Sequence, residues 1–329
     1  MRKRLLPLVG AAALLALLIL TSTANASPAN PDPQLLATYE PLLQFDPLEQ
    51  FQPTKVQSFI TDAALEQQTS PGTWDVVQAQ AAPGNLPDSG SWRLNQRACT
   101  PDAPIGGLAC YADSASQGVG GPTTYGHVVH ENGETILEYW FFYYDDVYSY
   151  TYPPSDLFWQ AHEGDWEEAI VVLSADGQPI SVGYSQHCLG QTRAWADTPR
   201  FDDTHPIVHV AAGSHANYFT AGTHPINPAC IPPAAIAILQ AHGLPLPVDY
   251  AFAGPTAGPP GSGGAVMPVD QIDDNGPGWV QFPGYWGEAQ YFHAPAPIGT
   301  VALGNSPVGP AFHPEWNDPL GTLATWPTD

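Results

Sequence analysis

Proline and glycine are spread so densely along this chain that they limit the length of any helix or strand. The sequence has 37 prolines and 31 glycines among 329 residues. Proline lacks a backbone donor, and both residues weaken the interior of regular elements. The composition therefore favours short strands joined by ordered loops, and the expected fold class is mostly β.

Turn signals indicate how these strands pair. Residues 126–131 and 134–144 flank Asn132-Gly133, a two-residue turn in which both positions tolerate positive φ. Residues 166–174 and 179–187 form a second predicted strand pair. Strands at hairpin spacing predict an antiparallel β-sandwich of the jelly-roll type with few short helices.

The remaining periodic segments are few. Residues 206–212 predict another strand, residues 232–242 a short helix, and residues 279–282 a final strand. Residues 34–329 are expected to form a single domain with loop-rich insertions. These insertions are predicted at residues 70–125 and 243–278.

The first residues predict export. Arg2, Lys3 and Arg4 precede an apolar run over residues 5–20, and the small-x-small sequence 24–26 provides a cleavage site after Ala26. An uncleaved anchor is the alternative, but this run is shorter than the about 20 residues a bilayer requires. We therefore expect residues 1–26 to be a signal peptide and residues 27–33 a flexible tail. The mature chain is expected to be extracellular, without a transmembrane segment.

The charge balance excludes some partners. After cleavage, 32 acidic side chains face a few basic ones, namely Lys55, Arg93, Arg97, Arg193 and Arg200. Nucleic acids and anionic membrane surfaces require clustered Lys and Arg, so neither is an expected partner. A divalent cation or a saline environment would explain this excess of acid equally well.

Four cysteines lie in the mature region, and an even number in an exported chain predicts two disulfides. Three pairings are possible. We favour Cys99–Cys110 because these residues are close in sequence, and this choice leaves Cys188–Cys230. A zinc site is not expected, since no C-x2-C spacing occurs.

The densest group of functional side chains is His-Glu-Gly-Asp-Trp-Glu-Glu at residues 162–168. Residues two apart share a face of a strand, so Asp165 and Glu167 should project together, with His162 folding back from the preceding turn. Carboxylates held close together must share a proton or a cation. Oxygen-rich ligation favours Ca²⁺ or Mg²⁺, and added histidines would suit Mn²⁺ or Zn²⁺. A solvated acidic strand end is the alternative.

Three further places could contribute to this cluster. Asp145 and Asp146 end an aromatic strand, and two adjacent acids at a strand end usually indicate a turn. His187 ends the strand 180–186, where a lone histidine is more often a surface residue. His215 lies among small residues that would let the backbone approach a ligand. No nucleophile motif is present, so His215 and His187 are the candidate general bases.

Several of these segments resemble the vacuolar protein sorting-associated protein 62 family. The segments that carry the resemblance are residues 39–47, 51–54, 162–167, 184–187, 213–218, 282–288 and 306–310, in order along most of the mature chain. It implies no defined biochemical activity.

A fainter similarity is to the necrosis- and ethylene-inducing cytolysins, whose G-H-R-H-D-W-E motif binds a divalent cation on a β-sandwich. That similarity implies metal ligands at Asp145, His162, Asp165 and Glu167, with His215 also required. The chain departs from the motif, because Ala-His-Glu-Gly stands at residues 161–164 where the family has Gly-His-Arg-His. Because of this departure, the similarity does not decide whether the chain is cytolytic.

The sequence thus predicts a secreted protein that binds a divalent cation. Its expected ligand is a small molecule, an extracellular glycan or a lipid head group held at the metal cleft. A metal-dependent hydrolase, a cytolysin and a purely structural ion are the alternatives.

Overall fold

The Asn132-Gly133 turn joins the two strands predicted around it. Asn132 and Gly133 have φ values of 51° and 86°, as a tight hairpin turn requires. A computed structural model of the chain describes residues 32–47, 49, 51–97, 99, 121–152, 156–251, 264–294 and 299–329. The predicted signal peptide, most of the predicted tail and Cys110 lie outside these residues.

The described strands are β1 (Leu42–Phe45), β2 (Ala64–Ser70), β3 (Thr73–Gln78), β4 (Trp92–Asn95), β5 (Thr124–Glu131), β6 (Glu134–Tyr152), β7 (Asp156–Leu173), β8 (Pro179–Gln186), β9 (Leu189–Ala194), β10 (Arg200–Phe201), β11 (His205–Val210), β12 (Asn217–Tyr218), β13 (Gly222–Pro225), β14 (Val248–Ala251), β15 (Gly264–Ala265), β16 (Val269–Gln271), β17 (Ala289–Ala294) and β18 (Gly299–Asn305). The described α-helices are α1 (Asp32–Tyr39), α2 (Val56–Asp62), α3 (Pro233–Ala241), α4 (Pro314–Asn317) and α5 (Pro319–Leu323). Short 3₁₀ turns cover Trp195–Asp197, Pro228–Cys230, Gly278–Gln281 and Pro310–Phe312.

Two large sheets dominate the described part of the chain. An eight-stranded sheet has the order β16-β5-β6-β7-β17-β18, with β8 also paired to β7 and β9 to β8. A five-stranded sheet has the order β10-β11-β1-β15, with β12 beside β11. The prediction of a mostly β sandwich is confirmed. Hairpin spacing did not predict the two parallel pairings, β1–β11 and β5–β16.

The core lies between these sheets. Leu43, Val208 and Val210 of the five-stranded sheet belong to the same buried cluster as the aromatic side chains of β6. The Tyr184 hydroxyl on β8 also donates to the Ile207 carbonyl oxygen on β11, at 3.1 Å. On the opposite face of β7, Ile170 packs in a smaller cluster with residues from α5. Both faces of β6 and β7 are therefore covered.

Disulfide pairing agrees with the prediction where it is described. Cys188 and Cys230 are joined, with 5.2 Å between their Cα atoms. The bond ties the turn after β8 to the segment that leads into α3. Within the described residues no helix is both long enough and apolar enough to cross a membrane.

Residues 279–282 do not form the predicted final strand. Gly278–Gln281 is a 3₁₀ turn, in which the consecutive residues Trp279 and Val280 are both buried. Neighbours on a strand face opposite sides, whereas a helical turn can bury both in one core. The final described strands are β17 and β18, which the sequence did not predict. Strands β2, β3 and β4 likewise form a three-stranded sheet over residues 64–95, partly within the predicted loop-rich segment 70–125.

Candidate functional site

Two facing strands bring three potential metal ligands together. Asp146 on β6 lies opposite His162 on β7, and Asp165 follows three residues later. One ligand atom from each residue lies within 4.8 Å of the other two, and all three side chains are buried. His162 Nε2 is 3.3 Å from Asp146 Oδ2. Asp146, His162 and Asp165, here named the pocket triad, form a group that could hold a metal ion.

The backbone at Gly164 fixes the orientation of His162. Gly164 has a φ of 58°, and a Cβ added there would collide with the Trp286 carbonyl oxygen. His162 Nδ1 lies 3.0 Å from the Gly164 carbonyl oxygen, so Nδ1 donates to this oxygen and Nε2 faces Asp146. Metal-binding histidines are commonly oriented in this way. Burial opposes the charged imidazole, but the Asp146 carboxylate prevails and raises the pKa of His162 to about 9.

His215 contacts Asp165 from outside the group of three ligands. It lies between β11 and β12 with a φ of 54°, after Gly213 at 78°. Its Nδ1 is 2.9 Å from Asp165 Oδ2, and its Nε2 is 3.3 Å from Glu49 Oε1. Its ring stacks on Tyr143 with centroids 3.8 Å apart.

Burial disfavours the charge on His215, but Glu49 and Asp165 together raise its pKa well above the usual range. Burial would also raise the pKa of Asp165, yet the hydrogen bond and charge of His215 hold it below its ordinary value. The pair is therefore an imidazolium and a carboxylate. His215 is 0% exposed and absent from the residues that line the pocket, so its contacts position Asp165, and its role as a general base stays a prediction.

Asp145 and Glu167 lie beside the triad but outside it. Asp145 is completely buried, and neither of its carboxyl oxygens has a hydrogen-bond partner. Burial, followed by the charges of Glu163 and Asp146, raises the pKa of Asp145 well above its usual range. Burial and the charge of Asp165 also raise the pKa of Glu167 well above its usual range. The Glu167 carboxyl group accepts a hydrogen bond from the Ser185 hydroxyl.

His187 reaches the same pocket from the turn after β8. Its Nε2 is 2.7 Å from Asp249 Oδ2 on β14. Asp249 is completely buried and also accepts hydrogen bonds from the hydroxyls of Ser214, at 2.7 Å, and Tyr218, at 2.5 Å. Burial opposes the imidazolium, but Asp249 raises the pKa of His187. The result is an oriented histidine on the pocket wall.

An open pocket of about 250 Å³, here named the cation pocket, contains these groups. Its wall includes the triad together with Glu167, His187 and Ser214. The pocket is wide enough to admit a ligand to the triad. The chemistry available there is cation binding, supplemented by one oriented imidazole.

The structure groups some of the candidate residues and separates others. His162 and Asp165 converge, Glu167 and His187 line the same pocket, and His215 lies behind it. Asp146, not its neighbour Asp145, completes the triad, because Asp146 is the residue that pairs with His162. Sequence reasoning did not identify Glu49 or Asp249. Glu49 is 166 positions from His215 and Asp249 is 62 from His187, and no local pattern marks either one.

Comparison with known proteins gives limited matches. No family model matches the chain. A Saccharomyces cerevisiae protein, TDA6, provisionally named as a vacuolar protein sorting-associated protein, is 26% identical over 195 residues, or 50% of this chain. The match spans 37% of the length of that yeast protein.

Solved structures with a partial likeness are toxin-fold proteins. Necrosis and Ethylene inducing Protein 2, from the causal agent of cocoa's Witches Broom disease, is 17% identical over 56% of this chain and 67% of its own, with a TM-score of 0.33. A structure described as a toxin fold for microbial attack and plant defense is 15% identical over 75% and 76%, with a TM-score of 0.35. NLPPya in complex with mannosamine is 17% identical over 59% and 69%, with a TM-score of 0.33. The chain thus resembles both groups of proteins indicated by its sequence, and likeness at this level does not extend to function.

Proposed function

We propose that this chain binds a divalent cation at Asp146, His162 and Asp165 and uses the ion to hold an oxygen-rich ligand in the cation pocket. The observation that carries this proposal is the convergence of three ligand atoms within 4.8 Å on the wall of an open pocket. Two carboxylates and an imidazole are ligands that divalent cations accept. An open wall leaves room for a ligand atom beside the ion.

Charge balance supports the same proposal. Asp145 and Glu167 have raised pKa values beside the triad, so without a cation they retain protons. Ion pairs of basic side chains in the described residues lie elsewhere: Lys55 with Asp270, Arg93 with Glu66, and Arg193 with Asp329. A dication would replace the protons on these buried acids, and metal binding commonly releases protons in this way. Carboxylate-rich ligation favours Ca²⁺ or Mg²⁺ over Mn²⁺ or Zn²⁺.

Export is part of the proposal. The signal sequence predicted at residues 1–26 supports it, as does the Cys188–Cys230 disulfide, because disulfides persist mainly in oxidising compartments. The ligand would accordingly be an extracellular small molecule, glycan or lipid head group. The polar wall of the pocket is suited to sugar hydroxyls or phosphate oxygens.

Cation binding is tested by calorimetry on EDTA-treated, dialysed protein. We expect one site for Ca²⁺ or Mg²⁺, with proton release that depends on the buffer. His162→Ala should weaken binding by roughly 100-fold. His130→Ala is the matched control, since the His130 side chain is 60% exposed and lies outside the cation pocket. The proposed site would be rejected if none of Ca²⁺, Mg²⁺, Mn²⁺ and Zn²⁺ bound detectably. An equal loss of affinity in His162→Ala and His130→Ala would also reject it.

Hydrolysis is a second candidate, favoured by the His187–Asp249 pair. A histidine held by a buried carboxylate and exposed to a pocket is a suitable general base. In that case, cation-loaded protein should cleave activated esters or phosphodiesters, with a rate at least about 100-fold lower in His187→Ala. Asp249→Asn should lower the rate and shift its pH profile. If fully cation-loaded protein cleaved none of these substrates, hydrolysis would be rejected and ligand binding would remain the proposed function.

A further inference from the structure

A second cavity, here named the apolar slot, adjoins the cation pocket. Its volume is about 30 Å³, and its wall includes residues of β6, β17 and α3. The apolar side chains that line it are Tyr148, Ile226, Ile231, Ala235, Leu239, Pro247 and Phe292. Six of these seven form one buried cluster, Pro247 being the exception. The slot therefore has a continuous apolar wall.

The slot and the cation pocket share one side. Both are lined by Asp146, Gln160, His187, Ser214 and Cys230. The combined cavity is consequently polar around the triad and apolar toward α3. Asp146 is both a proposed cation ligand and part of the slot wall, so a group bound near the ion would lie next to the slot.

The volume of the slot limits its occupant. A cavity needs about 10–15 Å³ on this measure to hold one water-sized group, so the slot accepts a short chain and excludes a long one. Water needs several polar partners to be held, and the polar residues of the slot lie on the side that it shares with the cation pocket, so water gains little at the end toward α3. An alkyl group gains about 0.8 kcal/mol for each CH₂ it removes from water.

We infer that the ligand of the cation pocket is an amphiphile, with an oxygen-rich head beside the triad and a short alkyl or acyl group of about two to four carbons in the slot. This inference rests on the proposed cation binding. It narrows the ligand class: an unsubstituted sugar or a bare phosphate would leave the slot unfilled. A head group that carries a small acyl substituent would fill both parts of the cavity.

The test uses methyl, ethyl, propyl, butyl and hexyl phosphate, titrated into calcium-loaded full-length protein. Affinity should rise about fourfold for each added carbon while the slot fills. It should then level off near butyl phosphate. In EDTA the whole series should bind far more weakly.

Two substitutions on α3 assign any chain-length effect to the slot. Ala235→Leu should remove the preference for butyl over methyl phosphate, because the added side chain occupies the slot. Leu239→Ala should move the plateau to longer chains. Ala241→Leu, at an exposed position of the same helix, is the matched control and should keep the wild-type preference. Comparing the butyl-to-methyl ratio within each variant separates this effect from changes in overall affinity.

Three results would overturn the inference. The first is calcium-dependent binding of methyl phosphate with no gain for longer chains, which would leave the proposed cation site intact. The second is a butyl preference that survives both Ala235→Leu and Leu239→Ala. The third is the absence of phosphate binding in protein that binds calcium. Failure of calcium itself to bind is a separate outcome, which would reject the proposed function and the inference with it.

Discussion

Strands β6 and β7 carry two groups of buried acidic side chains, and the two groups differ in how their charge is balanced. In one group, the pocket triad converges beside His215. In the other, Glu138 and Glu168 form what we name the closed carboxyl pair, and they are 0% and 1% exposed. In the described residues, only the pocket triad brings ligand atoms of three residues within 4.8 Å.

The closed carboxyl pair has few partners. Glu138 contacts His127 Nδ1 at 2.9 Å and accepts from Trp140 Nε1 at 3.2 Å, but both Glu168 oxygens lack hydrogen-bond partners. Burial, followed by the charge of Glu138, raises the pKa of Glu168 well above its usual range. Burial likewise raises the pKa of Glu138. Protons thus keep the closed carboxyl pair neutral, whereas imidazolium groups and a proposed cation balance the charge of the triad.

The largest expected effect concerns the charge of His215. Its removal would leave Glu49 and Asp165 buried without this imidazolium, so His215→Ala should lower the free energy of unfolding by about 3–5 kcal/mol. Urea unfolding of cation-free protein at pH 7 measures this change. His242→Ala, at an exposed position after α3, should change stability by less than about 0.5 kcal/mol. Similar values for both variants would show that His215 does not carry the proposed charge.

Isosteric amides distinguish the pocket triad from the closed carboxyl pair more directly. Asp165→Asn should weaken cation binding roughly 100-fold, whereas Glu168→Gln should leave the affinity unchanged. Calorimetry with calcium measures both values. Both variants replace a buried carboxyl group of β7 by the isosteric amide. Equal losses would show that cation binding reflects the acidity of the whole strand and not convergence at the triad.

The fold was more predictable than the site because hairpins are local. Asn132-Gly133 specifies the turn between β5 and β6, and the segment 179–187 became β8. The strand ends predicted at 144 and 166 were wrong: β6 continues to Tyr152 and β7 begins at Asp156, so residues 145–146 and His162 lie inside these strands. The pairing of β1 with β11 joins segments more than 160 positions apart, and no local signal determines it. The sequence did not predict strands β17 and β18 for a similar reason, because β17 pairs with β7 across about 130 positions.

At the site, the sequence indicated His162 and Asp165 together with Asp145, whereas the three ligand atoms that the structure brings together include one from the adjacent Asp146. Asp145 and Asp146 are chemically identical, and only the register of β6 against β7 decides which one faces His162. A shift of one residue exchanges the faces of a strand. Tertiary contacts also determine the role of His215, whose partners Glu49 and Asp165 are distant in sequence.

A smaller effect should distinguish the closed carboxyl pair by stability. Glu168→Gln should raise the free energy of unfolding by about 1–2 kcal/mol at pH 7.5, because an amide needs no proton to remain neutral when buried. The gain should vanish near pH 4, where the carboxyl group is protonated in both the folded and unfolded states. Urea unfolding at both pH values measures it. A loss of stability at pH 7.5 would indicate that Glu168 is ionised and paired in the native protein.

The last effect, the smallest when it is expressed per pH unit, concerns an isolated buried acid, Glu40, which accepts from the Met267 amide at 2.9 Å. Burial raises its pKa from 4.5 to about 8, so the folded state holds a proton that the unfolded state releases. Stability should therefore fall as pH rises from about 4.5 to about 8, by at most about 1.4 kcal/mol per pH unit for this group. Glu40→Gln should flatten this slope, while Asp176→Asn, in an exposed turn, should not. Parallel pH profiles for wild type and Glu40→Gln would mean that Glu40 is ionised at neutral pH. In that case burial alone would not keep an acid neutral in this fold. The inference that burial keeps Glu138 and Glu168 protonated would then lose support.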